Sequence, residues 1–188
     1  MRRVVVPVVL GTLALLAGCG GSADPAPAPA PSSPSGSSVS PSVSPSTGVA
    51  SGVDLVRPHS TVTAPSGWTR GRAISSDATA ADSPDRLAYV ELAEIEAFGS
   101  TMGAAELGRT RISSSIDARP PKLLPVAELD GVPVYHVAGL VNDEQYLEEY
   151  GAIRDDRIVT LTFSFNTRFP AGRRQQVVEQ VLATFRWR

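Results

Sequence analysis

The chain has 188 residues, with 17 basic and 19 acidic side chains, and a formal net charge of −2 at pH 7. This slightly acidic balance excludes the strongly basic surface that nucleic acids and anionic lipid headgroups attract. The single cysteine, Cys19, excludes a disulfide within the chain.

The first 18 residues are predicted to be a signal peptide. Arg2 and Arg3 are followed by an uncharged, largely apolar stretch over residues 4–16. A helix of that length reaches about 20 Å, which is short of the roughly 30 Å hydrocarbon core of a bilayer. A charged start followed by a short apolar core is typical of a secretory signal and not of a transmembrane helix.

The residues that follow this core resemble the lipobox of bacterial lipoproteins, in which an apolar residue and two small residues precede a cysteine. Here they are Leu16, Ala17, Gly18 and Cys19. The resemblance implies cleavage after Gly18, a diacylglyceryl group on the sulfur of Cys19, and anchoring to the outer face of the cell membrane. Two or more acyl chains anchor far more strongly than one. The alternative is a soluble secreted protein whose cysteine follows the signal by accident.

Residues 19–52 are predicted to be a disordered tether. They are almost entirely Ala, Pro, Ser and Gly, which bury too little apolar surface to offset the conformational entropy lost on folding. Residues 53–188 are predicted to be one domain, because their length suits a single hydrophobic core.

In the first half of this domain the patterns are weak. Short strands are predicted over 62–64 and 73–75, on either side of Pro65-Ser-Gly-Trp68. Residues 87–95 are predicted to be a strand, although their apolar positions also fit a helical stripe. A helix is predicted over 100–116, and its apolar side comprises Met102, Ala105, Ile112 and Ile116.

The second half predicts a meander of four strands. Asp130-Gly131 lies between apolar runs over 123–129 and 132–141, which is the strongest short signal for a hairpin. The runs 146–153 and 157–166 follow, with a turn at Asp155-Asp156. Within 157–166, Val, Leu and Phe alternate with Thr, Ser and Asn, so one dry face and one wet face are expected. Connections this short favour antiparallel neighbours.

The C-terminal segment predicts an amphipathic helix. Pro170 suits a first helical turn. The apolar positions recur at helical spacing, and they are Val177, Val178, Val181, Leu182 and Phe185. This helix is expected to cover the dry face of the sheet, with Phe185 and Trp187 closing the core at its end.

Together these elements predict an α+β domain, an antiparallel sheet of about five to seven strands packed by helices. Pro65-Ser-Gly-Trp68, the Asp130-Gly131 hairpin, the strand 159–164 and the ending 181–187 resemble the LpqN/LpqT lipoproteins of actinobacteria. Those lipoproteins are similar to the PsbP-like sandwich fold. The resemblance implies a binding or accessory role, and it supplies no catalytic residues. A single lysine among many arginines, with abundant alanine, is also typical of a GC-rich actinobacterial genome.

The two histidines are the candidate bases. His136 lies within the predicted strand 132–141, where a satisfied, partly buried histidine is favoured over a catalytic one. His59 lies near the tether and is expected to be exposed. Neither has a second ligand at metal-binding spacing, so no metal site and no cofactor are predicted.

Six carboxylates make up the most acidic stretch, and they are Asp143, Glu144, Glu148, Glu149, Asp155 and Asp156. Their spacing does not fit a calcium loop, and Glu148 and Glu149 would point to opposite faces of a strand. Solvated turns and an edge strand protected from aggregation are the favoured interpretation.

Two further features are interpreted as structural. Gly99-Ser-Thr-Met-Gly103 has the outline of a nucleophile elbow, but its centre is Thr101 and no acid and base follow in the required order. Trp68 is interpreted as a core residue and not as a ligand-stacking platform.

The sequence therefore predicts a membrane-anchored envelope lipoprotein with a non-enzymatic binding or accessory domain. The expected partner is an envelope protein or a small apolar ligand, and the residues that would bind it are not identifiable from sequence. The alternatives are a lipid carrier and an envelope hydrolase in which His136 is the base and Glu148 a nearby acid.

Overall fold

The computed structural model describes residues 48–188, which form two antiparallel sheets and two helices. The strands are β1 (Asp54–Val56), β2 (Ser60–Thr63), β3 (Thr69–Gly71), β4 (Ala78–Asp82), β5 (Ala88–Glu96), β6 (Lys122–Leu129), β7 (Val132–Leu140), β8 (Gln145–Arg154), β9 (Arg157–Asn166) and β10 (Arg186–Trp187). The helices are α1 (Ala104–Ser113) and α2 (Ala171–Leu182). The predicted signal peptide, the lipobox with Cys19 and most of the predicted tether lie outside the described residues. Within residues 48–188, none of the helices is long and apolar enough to cross a bilayer.

Seven strands form the larger sheet, in the order β3-β4-β5-β9-β8-β7-β6. The predicted meander is confirmed, because β6 to β9 are antiparallel neighbours in sequence order. Two of its turns have positive φ at both central residues, 48° and 80° at Asp130-Gly131 and 51° and 58° at Asp155-Asp156. This is the backbone geometry that matches the twist of paired strands in a two-residue hairpin.

On the face of this sheet toward α2, strands β5 and β9 contribute to a solid apolar core. The residues of β9 on this face are at most 1% exposed, and they are Val159, Leu161, Phe163 and Phe165. Val177, Val178 and Val181 of α2 pack into the same cluster, as the helical spacing predicts. Each fully buried side chain of this kind stabilises the fold by about 1.5–3 kcal/mol. Pro170 is the N-cap of α2 and precedes its first turn.

A small sheet in the order β1-β2-β10 closes one end of this core. Phe185 is buried and lies edge-on to Trp187, with ring centroids 4.9 Å apart. The indole Nε1 of Trp187 donates to the carbonyl oxygen of Leu129 at 2.8 Å. The predicted role of Phe185 and Trp187 is confirmed, although β1 and β10 are too short to be recognised by periodicity.

On the opposite face of the large sheet, α1 covers β6, β7 and part of β8 and leaves β5 and β9 open. The helix is shorter than predicted, and the predicted apolar side is only partly right, because Met102 and Ile112 pack against the cluster beneath the helix but Ala105 and Ile116 do not. Its buried residues are Leu107 and Gly108, whereas Ala105 and Ile116 are exposed. Gly108 faces the sheet because the helix comes very close to β7 at this position. A Cβ on Gly108 would lie 2.9 Å from the Cβ of Tyr135.

Near the start of the domain, one predicted strand was misplaced. Residues 73–75 lie in a loop, and the strand that follows Trp68 is β3, paired with β4. The segment 87–95 is a strand and not a helix, since β5 pairs with both β4 and β9. Partners distant in sequence determine these short segments, and local periodicity does not record them.

Candidate functional site

An open cavity of about 450 Å³ lies between α1 and the uncovered part of the sheet. Its walls are mostly aliphatic and include Ile74, Ile95, Leu107, Leu147 and Ile158. Polar groups converge on its floor, and they include Glu91, Glu149, Thr160 and Thr162. These residues define what is termed the α1 cavity below.

The floor of the α1 cavity contains a polar row that crosses three strands. Glu91 of β5 is opposite Thr162 of β9, and Thr162 is opposite Glu149 of β8. Opposed residues on neighbouring antiparallel strands point to the same face. The polar face predicted for residues 157–166 therefore forms part of the floor of the α1 cavity, where Thr160 and Thr162 lie.

Glu149 is buried and fully engaged. Arg111 of α1 donates from Nε to Oε1 at 2.9 Å and from a terminal nitrogen to Oε2 at 3.3 Å, and the hydroxyl of Tyr135 donates to Oε1 at 2.6 Å. Burial opposes the charge of Arg111, yet the charge and hydrogen bonds of Glu149 raise its pKa above the ordinary value. Burial, together with the adjacent Glu149 charge, raises the pKa of Tyr135, so its hydroxyl remains a donor.

Two glycines make room for Tyr135 to reach Glu149. A Cβ on Gly151, the residue opposite Tyr135 on β8, would lie 2.6 Å from the ring of Tyr135. Gly108 allows the backbone of α1 to come close to the same tyrosine. Because these two positions have no side chain, α1, Tyr135 and Glu149 can pack closely against one another.

A second site, a pocket of about 470 Å³, lies beside α2 on the other face of the sheet and contains His136 and Glu148. The Nε2 atom of His136 is 3.0 Å from Oε1 of Glu148. The ring of Tyr150 stacks on His136 with centroids 4.3 Å apart, and its hydroxyl donates to the same Oε1 at 2.7 Å. This group is termed the α2 pocket below.

The α2 pocket confirms that His136 is a partly buried sheet histidine with a hydrogen-bond partner. Burial opposes the charge of Glu148, but the hydrogen bonds from His136 and Tyr150 and the positive charges of His136 and Arg174 together outweigh it and lower the pKa of Glu148. Among the described residues, no serine, threonine or cysteine lines this pocket. An imidazole paired with a carboxylate can orient and deprotonate a water molecule.

His59 is not simply exposed, which corrects the prediction. Its Nδ1 is 3.1 Å from Oε2 of Glu94, a fully buried carboxylate that also accepts a hydrogen bond of 2.6 Å from the hydroxyl of Ser60. The serine donates to the carboxylate and not to the imidazole, so the three groups do not form a nucleophile–base relay. The network ties the small sheet to β5.

The interpretation of the acidic stretch as an edge strand was also wrong. β8 lies between β9 and β7 in the interior of the sheet, so Glu148 faces the α2 pocket and Glu149 faces the α1 cavity. They do point to opposite faces, as expected for neighbours on a strand. Thr101 lies exposed in the loop before α1, and Trp68 belongs to the core, as expected.

Three residues of the α1 cavity were missed by sequence reasoning: Glu91, Arg111 and Tyr135. A signal was present for Arg111, a basic residue near the end of a predicted amphipathic helix, but its partner is 38 positions away in the chain. Within residues 48–188, no three His, Cys, Asp or Glu side chains cluster in a way that could hold a metal ion.

Neither a protein-family model nor a curated protein matches this sequence. Among solved structures, cyanobacterial PsbP (CyanoP) from Synechocystis sp. PCC 6803 is similar to 75% of this chain and 98% of its own, at 17% identity and a TM-score of 0.52. A protein from Bacteroides thetaiotaomicron VPI-5482 matches 69% of the chain at 12% identity and a TM-score of 0.47, and the chain spans 45% of its length. The domain has a PsbP-like α+β fold.

Proposed function

We propose that this protein is a lipid-anchored module of the cell envelope whose domain binds a ligand with an apolar body in the α1 cavity. The observation that carries the proposal is the cavity itself. Its volume of about 450 Å³ is within the range of roughly 300–1,000 Å³ that small-molecule sites occupy. Aliphatic walls above a few convergent polar groups are typical of such sites.

The anchor is supported by the lipobox residues Leu16, Ala17 and Gly18 before Cys19, and by the resemblance to actinobacterial LpqN/LpqT lipoproteins. Cys19→Ala in the full chain tests it, because that variant lacks the sulfur that would accept lipid. We expect the wild-type protein in the membrane fraction and the variant in the soluble extracytoplasmic fraction. A wild-type protein that washes off the membrane, with an unmodified N-terminal thiol by mass spectrometry, would overturn the anchor.

Ligand binding is tested by native mass spectrometry of the full chain purified from its own cells. We expect a bound species that dissociates on denaturation. Ile158→Trp, which fills the floor of the α1 cavity, should lose this species. Val126→Trp is the matched control, because Val126 lies on edge strand β6 with 47% of its surface exposed. Ligand-free wild-type protein, or equal loading of both variants, would contradict the proposal.

A hydrolase is the second candidate, and the contact between His136 and Glu148 in the α2 pocket favours it. In this role His136 would activate water and Glu148 would orient the imidazole. His136→Ala should abolish hydrolysis of envelope ester or glycan substrates while the melting temperature stays within a few degrees. A large loss of stability with no activity to lose would instead assign the pair to structure.

A further inference from the structure

The α1 cavity contains a carboxylate without a cation. Glu91 is 91% buried, since only 9% of its surface is exposed. It accepts hydrogen bonds from the hydroxyl of Tyr89 and from the backbone N–H of Ile74, the latter at 3.0 Å. Both reach Oε2. No donor among residues 48–188 reaches Oε1, and no basic side chain in that range lies within ion-pair distance.

The free oxygen of Glu91 is in contact with the open cavity. In the described part of the chain, the only fully buried side-chain polar atoms without a partner are arginine Nε atoms. Oε1 is not among them, so it remains accessible from the cavity that Glu91 lines. It is therefore an unused acceptor with a negative charge at the edge of an apolar chamber.

The other carboxylate on the floor provides the contrast. Glu149 lies two strands from Glu91, about 10 Å away at the spacing of sheet strands, and it has Arg111 as a bidentate partner. Arg111 is the only basic residue lining the cavity within the described range, and it also approaches Asp117 at 3.8 Å. Among the described residues, the basic side chain that lines the cavity is thus paired with Glu149, and Glu91 has no cationic partner.

Tyr89 does not remove that charge. Burial and the neighbouring Glu91 carboxylate raise the pKa of Tyr89, so the tyrosine remains a neutral donor. A mostly buried carboxylate that is bound only by neutral donors gains from an added cation, because its partial withdrawal from water strengthens the attraction.

We propose that the α1 cavity takes an amphipathic cation, a small amine or guanidinium on an apolar body, with Glu91 holding the charged end. The charged group would donate to Oε1 of Glu91, and the apolar body would lie against Ile95, Ile158 and Leu107. This inference rests on the proposed function, since it names the chemistry of the ligand in the same cavity. Glu91 is a specificity determinant and not a catalytic residue.

Three probes with the same phenylethyl body and different charge test the inference on unmodified cavity residues. They are 2-phenylethylamine, 2-phenylethanol and 3-phenylpropionate, titrated into the full chain carrying Cys19→Ala so that attached lipid does not interfere. Binding is measured from shifts of the backbone amide resonances of Ile95, Thr160 and Thr162. We expect the amine to bind about tenfold more tightly than the alcohol, because a hydrogen bond to a charged partner is the stronger kind. The carboxylate should bind more weakly than the alcohol.

A single substitution then isolates the carboxylate. Glu91→Gln keeps the size of the side chain and should lower amine affinity about tenfold while alcohol affinity stays unchanged. Glu106→Gln is the matched control, because it removes the same charge from an exposed position of α1 outside the cavity. It should leave the order of the three probes as in the wild type.

The outcomes separate the two proposals. Equal binding of the amine and the alcohol, or strongest binding of 3-phenylpropionate, would overturn the cation inference and leave the cavity as a binding site. Cavity resonances that none of the three probes shifts, at concentrations that shift control proteins with known amine sites, would overturn both. If Glu91→Gln does not fold, the relative affinities of the three probes for the wild-type cavity still test the cation inference.

Discussion

The two faces of the seven-stranded sheet are made by alternate residues of the same strands, yet they differ in almost every respect. Toward α2, Phe163 and its neighbours are fully buried in a solid core. Toward α1, the preceding residue, Thr162, lies on the polar floor of an open cavity. Glu148 and Glu149, which are adjacent in β8, also point to opposite faces, Glu148 toward α2 and Glu149 toward α1.

This division places the packed core and the α1 cavity on opposite sides of the same strands. Strand residues alternate between faces, so side chains can change on the α1 face while the packing on the α2 face stays intact. The α1 face leaves β5 and β9 uncovered, and that opening provides room for a ligand without a void in the core. The following predictions test whether the two faces are as independent as this arrangement implies.

The largest difference is expected between Phe163→Ala and Thr162→Ala. Phe163→Ala leaves a void in a packed core and should lower the free energy of unfolding by about 3–5 kcal/mol. Thr162→Ala removes a hydrogen bond of 3.3 Å to Glu149 and should cost at most about 1 kcal/mol. Urea denaturation of both variants measures the difference. Similar losses would mean that the α1 face supports the fold as much as the core does.

The next comparison removes one carboxylate from each face. Glu149→Ala leaves Arg111 without its main partner and Tyr135 without an acceptor, and should cost about 3 kcal/mol, the lower end for a broken buried pair, since Arg111 is 27% exposed. Glu148→Ala should cost about 1 kcal/mol, because the imidazole and hydroxyl it leaves can bind water in the α2 pocket. Chemical denaturation at neutral pH gives both values, and the reverse order would refute this account.

Two glycines test the close packing around Tyr135. Gly151→Ala places a methyl group against the tyrosine ring and should cost about 1–3 kcal/mol, because strand and ring must move apart. Gly172→Ala in α2 meets nothing within 4 Å and should stabilise the protein by up to about 1 kcal/mol, since alanine favours a helix. Thermal unfolding should therefore shift in opposite directions. A Gly151→Ala variant with unchanged thermal stability would show that Tyr135 does not need the space beside Gly151.

The α2 face could be predicted from sequence, and the α1 face could not. Alternation in 157–166 and helical spacing in 177–185 identify the residues of the core, because burial on a regular element leaves a period in the sequence. The Asp130-Gly131 hairpin was predictable for a similar reason, since its turn needs residues that tolerate positive φ.

The residues that line the α1 cavity show no such periodicity in the sequence. The carboxylates of the cavity are two strands apart in the sheet but 58 positions apart in the chain, as the numbers of Glu91 and Glu149 show. Only the pairing of β5 with β9, a contact distant in sequence, brings them to one floor. Arg111 was not identified, because the side of α1 that meets the sheet carries Gly108, and hydrophobic periodicity does not count a glycine.

The smallest expected effect concerns pH and the α2 pocket. Burial opposes its charge, but the hydrogen bonds from His136 and Tyr150, together with the positive charges of His136 and Arg174, outweigh burial, so the pKa of Glu148 in the folded protein is below the ordinary value of 4.5. A carboxylate of this kind adds stability that is fully present above its unfolded pKa and is lost as pH falls through the lowered one. The stability difference between wild type and Glu148→Gln should therefore shrink from about pH 5 to about pH 3. Tyr150→Phe, which removes one of the two donors, should show a weaker change over the same range. A difference that stays constant with pH would mean that neither bond favours the charged form, and that the contact between His136 and Glu148 does not hold a carboxylate in place.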